Sequence, residues 1–254
     1  MVFAEVGYLE EWHLKPAHAT IALFTLAGVA TAPGFMDSCR DELALRLRAR
    51  GYAVEADSLY PYGDWHRRIY PQLLEIARDL LDIHERLWNA AGMRAVKQRL
   101  LHAAEEGRTV VLVGHSGGGV TAVQAASQFV KAGYPAPHVV QIGSPRCPVR
   151  PELKPNTLFL SGYEKYGGRK DPIAMLGRWG GWVRGEGTVP FWRKDAHAPA
   201  AVAALPLIGG HPDYFRAYAP YIDEEGVSNL DVTLGAVLAW LEPRLRNCFD
   251  AGPD

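Results

Sequence analysis

The residues of this chain best suited to chemistry are Gly114-His115-Ser116-Gly117-Gly118, set between an apolar run at 109–113 and a stretch rich in small residues. A strand that turns straight into a helix through Gly-x-Ser-x-Gly presents the serine hydroxyl at the C-terminal edge of a sheet. Side chains two residues to either side would collide in so tight a turn, and glycines at 114 and 118 remove them. The same turn puts the backbone N–H of Gly117 at a helix N-terminus, where it can stabilise a developing oxyanion. The implied chemistry is nucleophilic attack by the Ser116 hydroxyl. The plainer alternative is a glycine-rich turn whose serine only caps the helix. A phosphate-binding loop would need a following Gly-Lys-Ser/Thr, and a dinucleotide site an early Gly-x-Gly-x-x-Gly; the sequence has neither.

Such a turn needs a sheet around it. Short apolar runs alternate with amphipathic stretches, the pattern of a parallel sheet covered by helices. Residues 20–26, 52–59, 109–113, 139–142 and 157–160 read as strands, and 201–208 as a last strand whose alanines leave a helix open. Helices are expected over 36–50, 73–91, 94–106, 118–131 and 228–241. Gly92 should break the second from the third, Ser228 should cap the last, and Pro243 should lie beyond its end.

Composition fits one folded unit spanning 1–254. The chain is 48% hydrophobic and 22% charged, which excludes disorder, and 27 basic residues face 28 acidic ones, which gives no general attraction to nucleic acid or to an anionic membrane. Three widely spaced cysteines imply neither a disulfide framework nor a zinc site, and no metal or cofactor is expected. The N-terminus lacks a signal-peptide pattern, and the most apolar early stretch, 19–32, is too short to span a bilayer. A cytoplasmic protein without an integral membrane segment is the expectation.

With GHSGG between strand and helix, the sequence resembles the serine esterases and lipases of the α/β-hydrolase superfamily. Gln141-Ile-Gly-Ser-Pro-Arg146 is similar to the strand-end sequence after the nucleophile helix in class 3 lipases. The resemblance covers roughly residues 19–241. It implies an α/β-hydrolase fold, a mostly parallel sheet with helices on both faces, and a Ser…Asp…His triad in that chain order.

In that order the acid should follow the strand at 157–160. Asp171-Pro172 lies there, and the family often has Asp-Pro at this point; the alternatives are a plain turn aspartate, or Asp195 as the acid. Two histidines follow. His211, in Gly209-Gly-His-Pro-Asp-Tyr214, resembles the histidine loop of lipases and is preferred to His197, which lacks a glycine turn. A loop histidine bonded to Asp213 is the plainer reading. His115 is expected to point away from the serine, and His138 only introduces a strand. The resemblance puts a second oxyanion donor after the first core strand, where the backbone N–H of Val29 is the choice; relatives often carry His-Gly where this chain has Ala27-Gly28.

The stretch 162–192 brackets the proposed acid with aromatics and eight glycines, and Tyr60 follows the second strand. Tyr60, Trp179, Trp182 and Trp192 are the expected substrate contacts, with 60–70 and 162–192 as lid or substrate loops. Aromatics packed over the sheet edge are the alternative. The expected substrate is a small-molecule ester with an apolar or aromatic group. A thioesterase, amidase or acyltransferase would need the same triad, and a non-catalytic member of the fold would use the pocket for binding.

Overall fold

The central apolar runs become strands here because both of their faces are covered. The computed structural model describes residues 20–28, 31–61, 91–185 and 189–250. Its strands are Thr20–Leu26 (β1), Ala53–Leu59 (β2), Thr109–His115 (β3), His138–Ile142 (β4), Thr157–Glu164 (β5), Gly181–Val183 (β6), Phe191–Arg193 (β7) and Ala201–Leu207 (β8). Six pair in the order β2-β1-β3-β4-β5-β8, every described pairing parallel, while β6 and β7 form a separate antiparallel hairpin.

The helices are Asp37–Arg48 (α1), Ala91–Glu105 (α2), Gly117–Lys131 (α3) and Asn229–Asp250 (α4). Alternate residues of a strand point to opposite faces. Ile21, Leu23, Val111 and Val113 therefore pack in one cluster with Leu43 and Leu47 of α1 and Leu234 and Leu238 of α4. Ala22, Phe24, Val110 and Leu112 pack in a second with Leu100 of α2 and Val120 and Val123 of α3. Helices thus cover both faces of a parallel sheet, the architecture of the α/β hydrolases. Among the described residues no helix is long and apolar enough to cross a membrane.

Three local expectations change. α2, described over Ala91–Glu105, includes Gly92, while residues 73–90 of the preceding expected helix lie outside the described residues. α4 runs through Pro243 to Asp250, because Trp240, Leu241 and Leu245 remain buried in the core on both sides of the proline. Its start is a reciprocal cap: the Asp231 N–H donates to Ser228 Oγ (3.1 Å) and the Ser228 N–H to Asp231 Oδ2 (3.2 Å). β5 extends four residues further than the apolar run at 157–160, since β8 pairs along it as far as Glu164 opposite Leu207.

All six parallel strands end at one edge. The order reverses at β1, with β2 on one side and β3 on the other, and the crevice beyond such a reversal is where open α/β sheets bind ligands. The connections leaving this edge carry Gly28, Ser116, Gly143, Asp171 and His211.

Candidate active site

Ser116 links β3 to α3 with φ 54° and ψ −128°, and it is the only non-glycine residue with positive φ among the described residues. Such a backbone costs about 1–3 kcal/mol and persists only where its surroundings impose it. The surroundings are tight: a Cβ on Gly114 would fall on the Gly118 carbonyl, and one on Gly118 on the Leu26 carbonyl. The Ser116 N–H donates to the Ile142 carbonyl of β4 (3.0 Å), which fixes the turn to the sheet. The loop after β1 passes directly over it, since a Cβ on Gly28 would lie 2.8 Å from Ser116 Cβ and 3.2 Å from Gly117 N. Val29, the expected oxyanion donor, lies outside the described residues.

Asp171 stands on the return arm of a hairpin at the end of β5. The chain turns through Gly168 (φ 68°), and the Asp171 N–H donates to the Gly162 carbonyl (2.9 Å). Its carboxylate is buried and accepts three hydrogen bonds. Oδ1 takes the Ile173 N–H (2.9 Å), and Oδ2 takes His211 Nδ1 (2.9 Å) and the Tyr214 hydroxyl (2.8 Å). Burial opposes ionisation, but the bond and charge of His211, with the other two donors, outweigh it and hold the carboxyl below the usual aspartate range. An ionised carboxylate only accepts, so Nδ1 of His211 carries the proton and Nε2 is left as the basic nitrogen.

His211 opens a 3-10 turn, His211–Asp213, directly after Gly210. Asp213 does not bond the imidazole; its Oδ2 accepts the Gly210 N–H (2.9 Å), and Oδ1 faces Arg216 (3.6 Å). The N-terminal turns of α4 hold this loop. Asn229 Nδ2 donates to the carbonyls of Ile208 (2.8 Å) and Asp213 (2.9 Å), and Thr233 Oγ1 to that of Tyr214 (3.0 Å).

Two residues of the site did not stand out in the sequence. Tyr214 is fully buried, donates to Asp171 and accepts the Gly162 N–H (2.5 Å). Its ring occupies a slot bounded by Gly143, where φ is 55° and a Cβ would come within 2.8 Å of the ring and 3.0 Å of Asp171 Oδ2. The Asp-Tyr pair after His211 was its available signal. His115 stacks on His211 (ring centroids 4.8 Å apart, planes at 28°), and its Nε2 lies 3.1 Å from the His211 carbonyl. Burial first, and the neighbouring His211 second, push its pKa down to about 3. A neutral His115 therefore donates Nε2–H to that carbonyl.

The competing candidates are elsewhere. His197 packs against Gly181, with backbone bonds to Trp179 and Val149. Asp195 is mostly exposed and faces Arg193 (3.5 Å). A cleft of about 360 Å³ is lined by Asp171, His211 and Tyr214 together with Tyr163, Arg169 and Lys170. Neither Ser116 nor any of the expected aromatic contacts lines it. The Tyr60 hydroxyl accepts the Gly34 N–H (2.9 Å) and so ties β2 to the segment leading into α1. Trp179 packs edge-on to Phe159 (4.9 Å), and Trp182 and Trp192 face each other across the β6–β7 hairpin (5.8 Å). Residues 62–70 and 186–188 of the expected loops lie outside the described residues.

Residues 52–154 match the family model of the class 3 lipases, which is fewer than half of the chain. No curated protein matches. Solved structures with similarity include the NocB thioesterase domain in covalent complex with a fluorophosphonate nocardicin G analogue (18% identity, 89% of this chain and 95% of that one, TM-score 0.46). The RedJ thioesterase of the prodiginine pathway in Streptomyces coelicolor is 16% identical over 89% of this chain and 97% of that one (TM-score 0.42). An acetylxylan esterase is 14% identical over 90% and 100% (TM-score 0.39). With its sheet order and its strand–serine–helix turn, the chain is an α/β-hydrolase-fold protein similar to serine esterases and lipases.

Proposed function

We propose that this protein cleaves a carboxylic ester through a Ser116–His211–Asp171 triad and an acyl-enzyme. Ser116 Oγ attacks the ester carbonyl, and Nε2 of His211 takes its proton. The Asp171 carboxylate holds the imidazole and stabilises the imidazolium. The Gly117 N–H, at the start of α3, is the proposed donor to the developing oxyanion, with the Val29 N–H, outside the described residues, as the proposed second donor. His211 gives the proton to the departing alkoxide, then draws one from water as it attacks the acyl carbonyl, and passes that proton to Ser116 Oγ as the acid leaves. A small-molecule ester with an apolar or aromatic group is the proposed substrate.

The observation that carries this reading is the 2.9 Å hydrogen bond between His211 Nδ1 and Asp171 Oδ2, at the sheet edge that also bears the strained Ser116. The test is hydrolysis of aryl esters of increasing acyl length, with matched thioesters and amides alongside. Ester turnover that disappears in Ser116→Ala and in His211→Ala supports the proposal. Equal turnover by Ser116→Ala, or turnover confined to thioesters or amides, overturns it.

A further inference from the structure

The side chain before the nucleophile has no step in the proposed reaction, yet His115 is only 4% exposed. Burying an imidazole costs solvation unless its nitrogens find partners, so an apolar side chain would suit this end of β3 better. Nδ1 has no hydrogen-bond partner among the described residues. Nε2 lies 3.1 Å from the His211 carbonyl, an oxygen that can only accept, so Nε2 carries the hydrogen. What the imidazole gains over a phenyl ring is therefore one bond, to the backbone of the general base.

The ring is itself held. Phe35, just ahead of α1, lies 5.2 Å from it, Phe215 5.3 Å and Tyr214 5.7 Å, while His211 stacks on it at 4.8 Å. His211 in turn is fixed at its Nδ1 by Asp171 (2.9 Å). One hydrogen bond fixes a point but not a plane, and the imidazole could still pivot about it. The face of His115 sets that plane, and its N–H holds the carbonyl of the backbone from which the imidazole projects. His115 is also joined by its peptide bond to Ser116, so one residue ties the serine turn to the loop of the base.

We infer that His115 is a positioning residue, which keeps the His211 imidazole in register with the Ser116 hydroxyl by stacking on its ring and donating to its carbonyl. This rests on the Ser116–His211–Asp171 reading and deepens it. Buried, with its single hydrogen committed to the carbonyl, His115 touches no substrate and moves no proton; it acts only through His211. Displacing a reacting group by about 1 Å can cost about a hundredfold in rate, so a contact this close to the base is felt in kcat rather than in binding.

The test measures the rate of fluorophosphonate reaction with Ser116, and aryl-ester kinetics, in His115→Phe and His115→Gln. Phenylalanine keeps a ring against His211 and loses the hydrogen bond; glutamine keeps an N–H at the reach of Nε2 and loses the ring. His115→Phe should slow phosphonylation and kcat about tenfold and His115→Gln several-fold, both at unchanged KM. In His211→Ala protein the same two substitutions should change the residual phosphonylation rate less than about twofold, since no imidazole remains to position. A side chain that merely supported the serine turn would slow that residual reaction by its full factor, and this result overturns the inference. So do wild-type rates in both single variants, or a raised KM at unchanged kcat. If His115→Phe does not fold, the His115→Gln factors decide alone. His211→Ala reacting at the wild-type rate would instead overturn the triad, and the role of His115 with it.

Discussion

The Tyr214 hydroxyl donates to Asp171 Oδ2 at 2.8 Å, the same oxygen that faces His211 Nδ1 at 2.9 Å. Two donors on one buried oxygen keep the carboxylate ionised and fix its direction. Tyr214→Phe removes one of them and leaves the Gly162 N–H without its acceptor. The expected cost is about 1–3 kcal/mol in stability. A roughly tenfold loss of kcat should accompany it at unchanged KM, since the carboxylate acts on the imidazolium formed in the transition state. Urea unfolding and steady-state kinetics measure the two effects.

The backbone at Ser116 separates strain from chemistry. Ser116→Ala and Ser116→Gly both remove the hydroxyl, but only glycine accepts φ 54° without steric cost. Ser116→Gly should be more stable than Ser116→Ala by about 1 kcal/mol, and both should be inactive. Denaturant midpoints of the two variants check this.

Gly143 tests the slot that holds Tyr214. A methyl group there would meet the Tyr214 ring and Asp171 Oδ2, whereas one at Gly133, also at positive φ, meets nothing within 4 Å. Gly133→Ala should cost about 1 kcal/mol, from its backbone alone. Gly143→Ala should cost clearly more and reduce activity as well. Comparing the pair isolates the packing contribution.

Two buried histidines set the acid side of stability. Burial lowers the pKa of His138 to about 4, with Arg244 contributing, and that of His115 to about 3. Their unfolded value is near 6.5, so on acidification the unfolded chain takes up these protons first. Their stabilisation is complete above about pH 6.5 and declines as pH falls towards 4 and 3. Asp171, held low, keeps its contribution down to about pH 4 and loses it as pH falls further. The thermal unfolding temperature should therefore fall steadily as pH drops from about 6.5 to about 4, and His138→Leu should flatten that slope.

What could be read beforehand depended on how local the constraint was. The serine turn is written in adjacent residues, because Gly114 and Gly118 must admit the Gly118 and Leu26 carbonyls. The central strands β1, β3 and β4 are visible as apolar runs because both of their faces are buried. The Asp171–His211 bond joins two residues that chain order and loop context had singled out. Tyr214 and His115 were not, since their roles arise from loops that meet only in the fold. Pro243 misled because buried leucines on both sides keep α4 helical through it. The three-residue strands β6 and β7 are too short to show alternation, so the sequence does not reveal the hairpin on which Trp182 and Trp192 stand exposed.

The central claim is that Ser116 is the nucleophile activated by His211. The most direct measurement is fluorophosphonate labelling of the wild-type protein, followed by mass spectrometry of the labelled peptide. The account predicts one phosphonyl group, on Ser116, with labelling abolished in Ser116→Ala and greatly slowed in His211→Ala. An unlabelled wild type, a label on another residue, or a His211→Ala protein that reacts at the wild-type rate would contradict it.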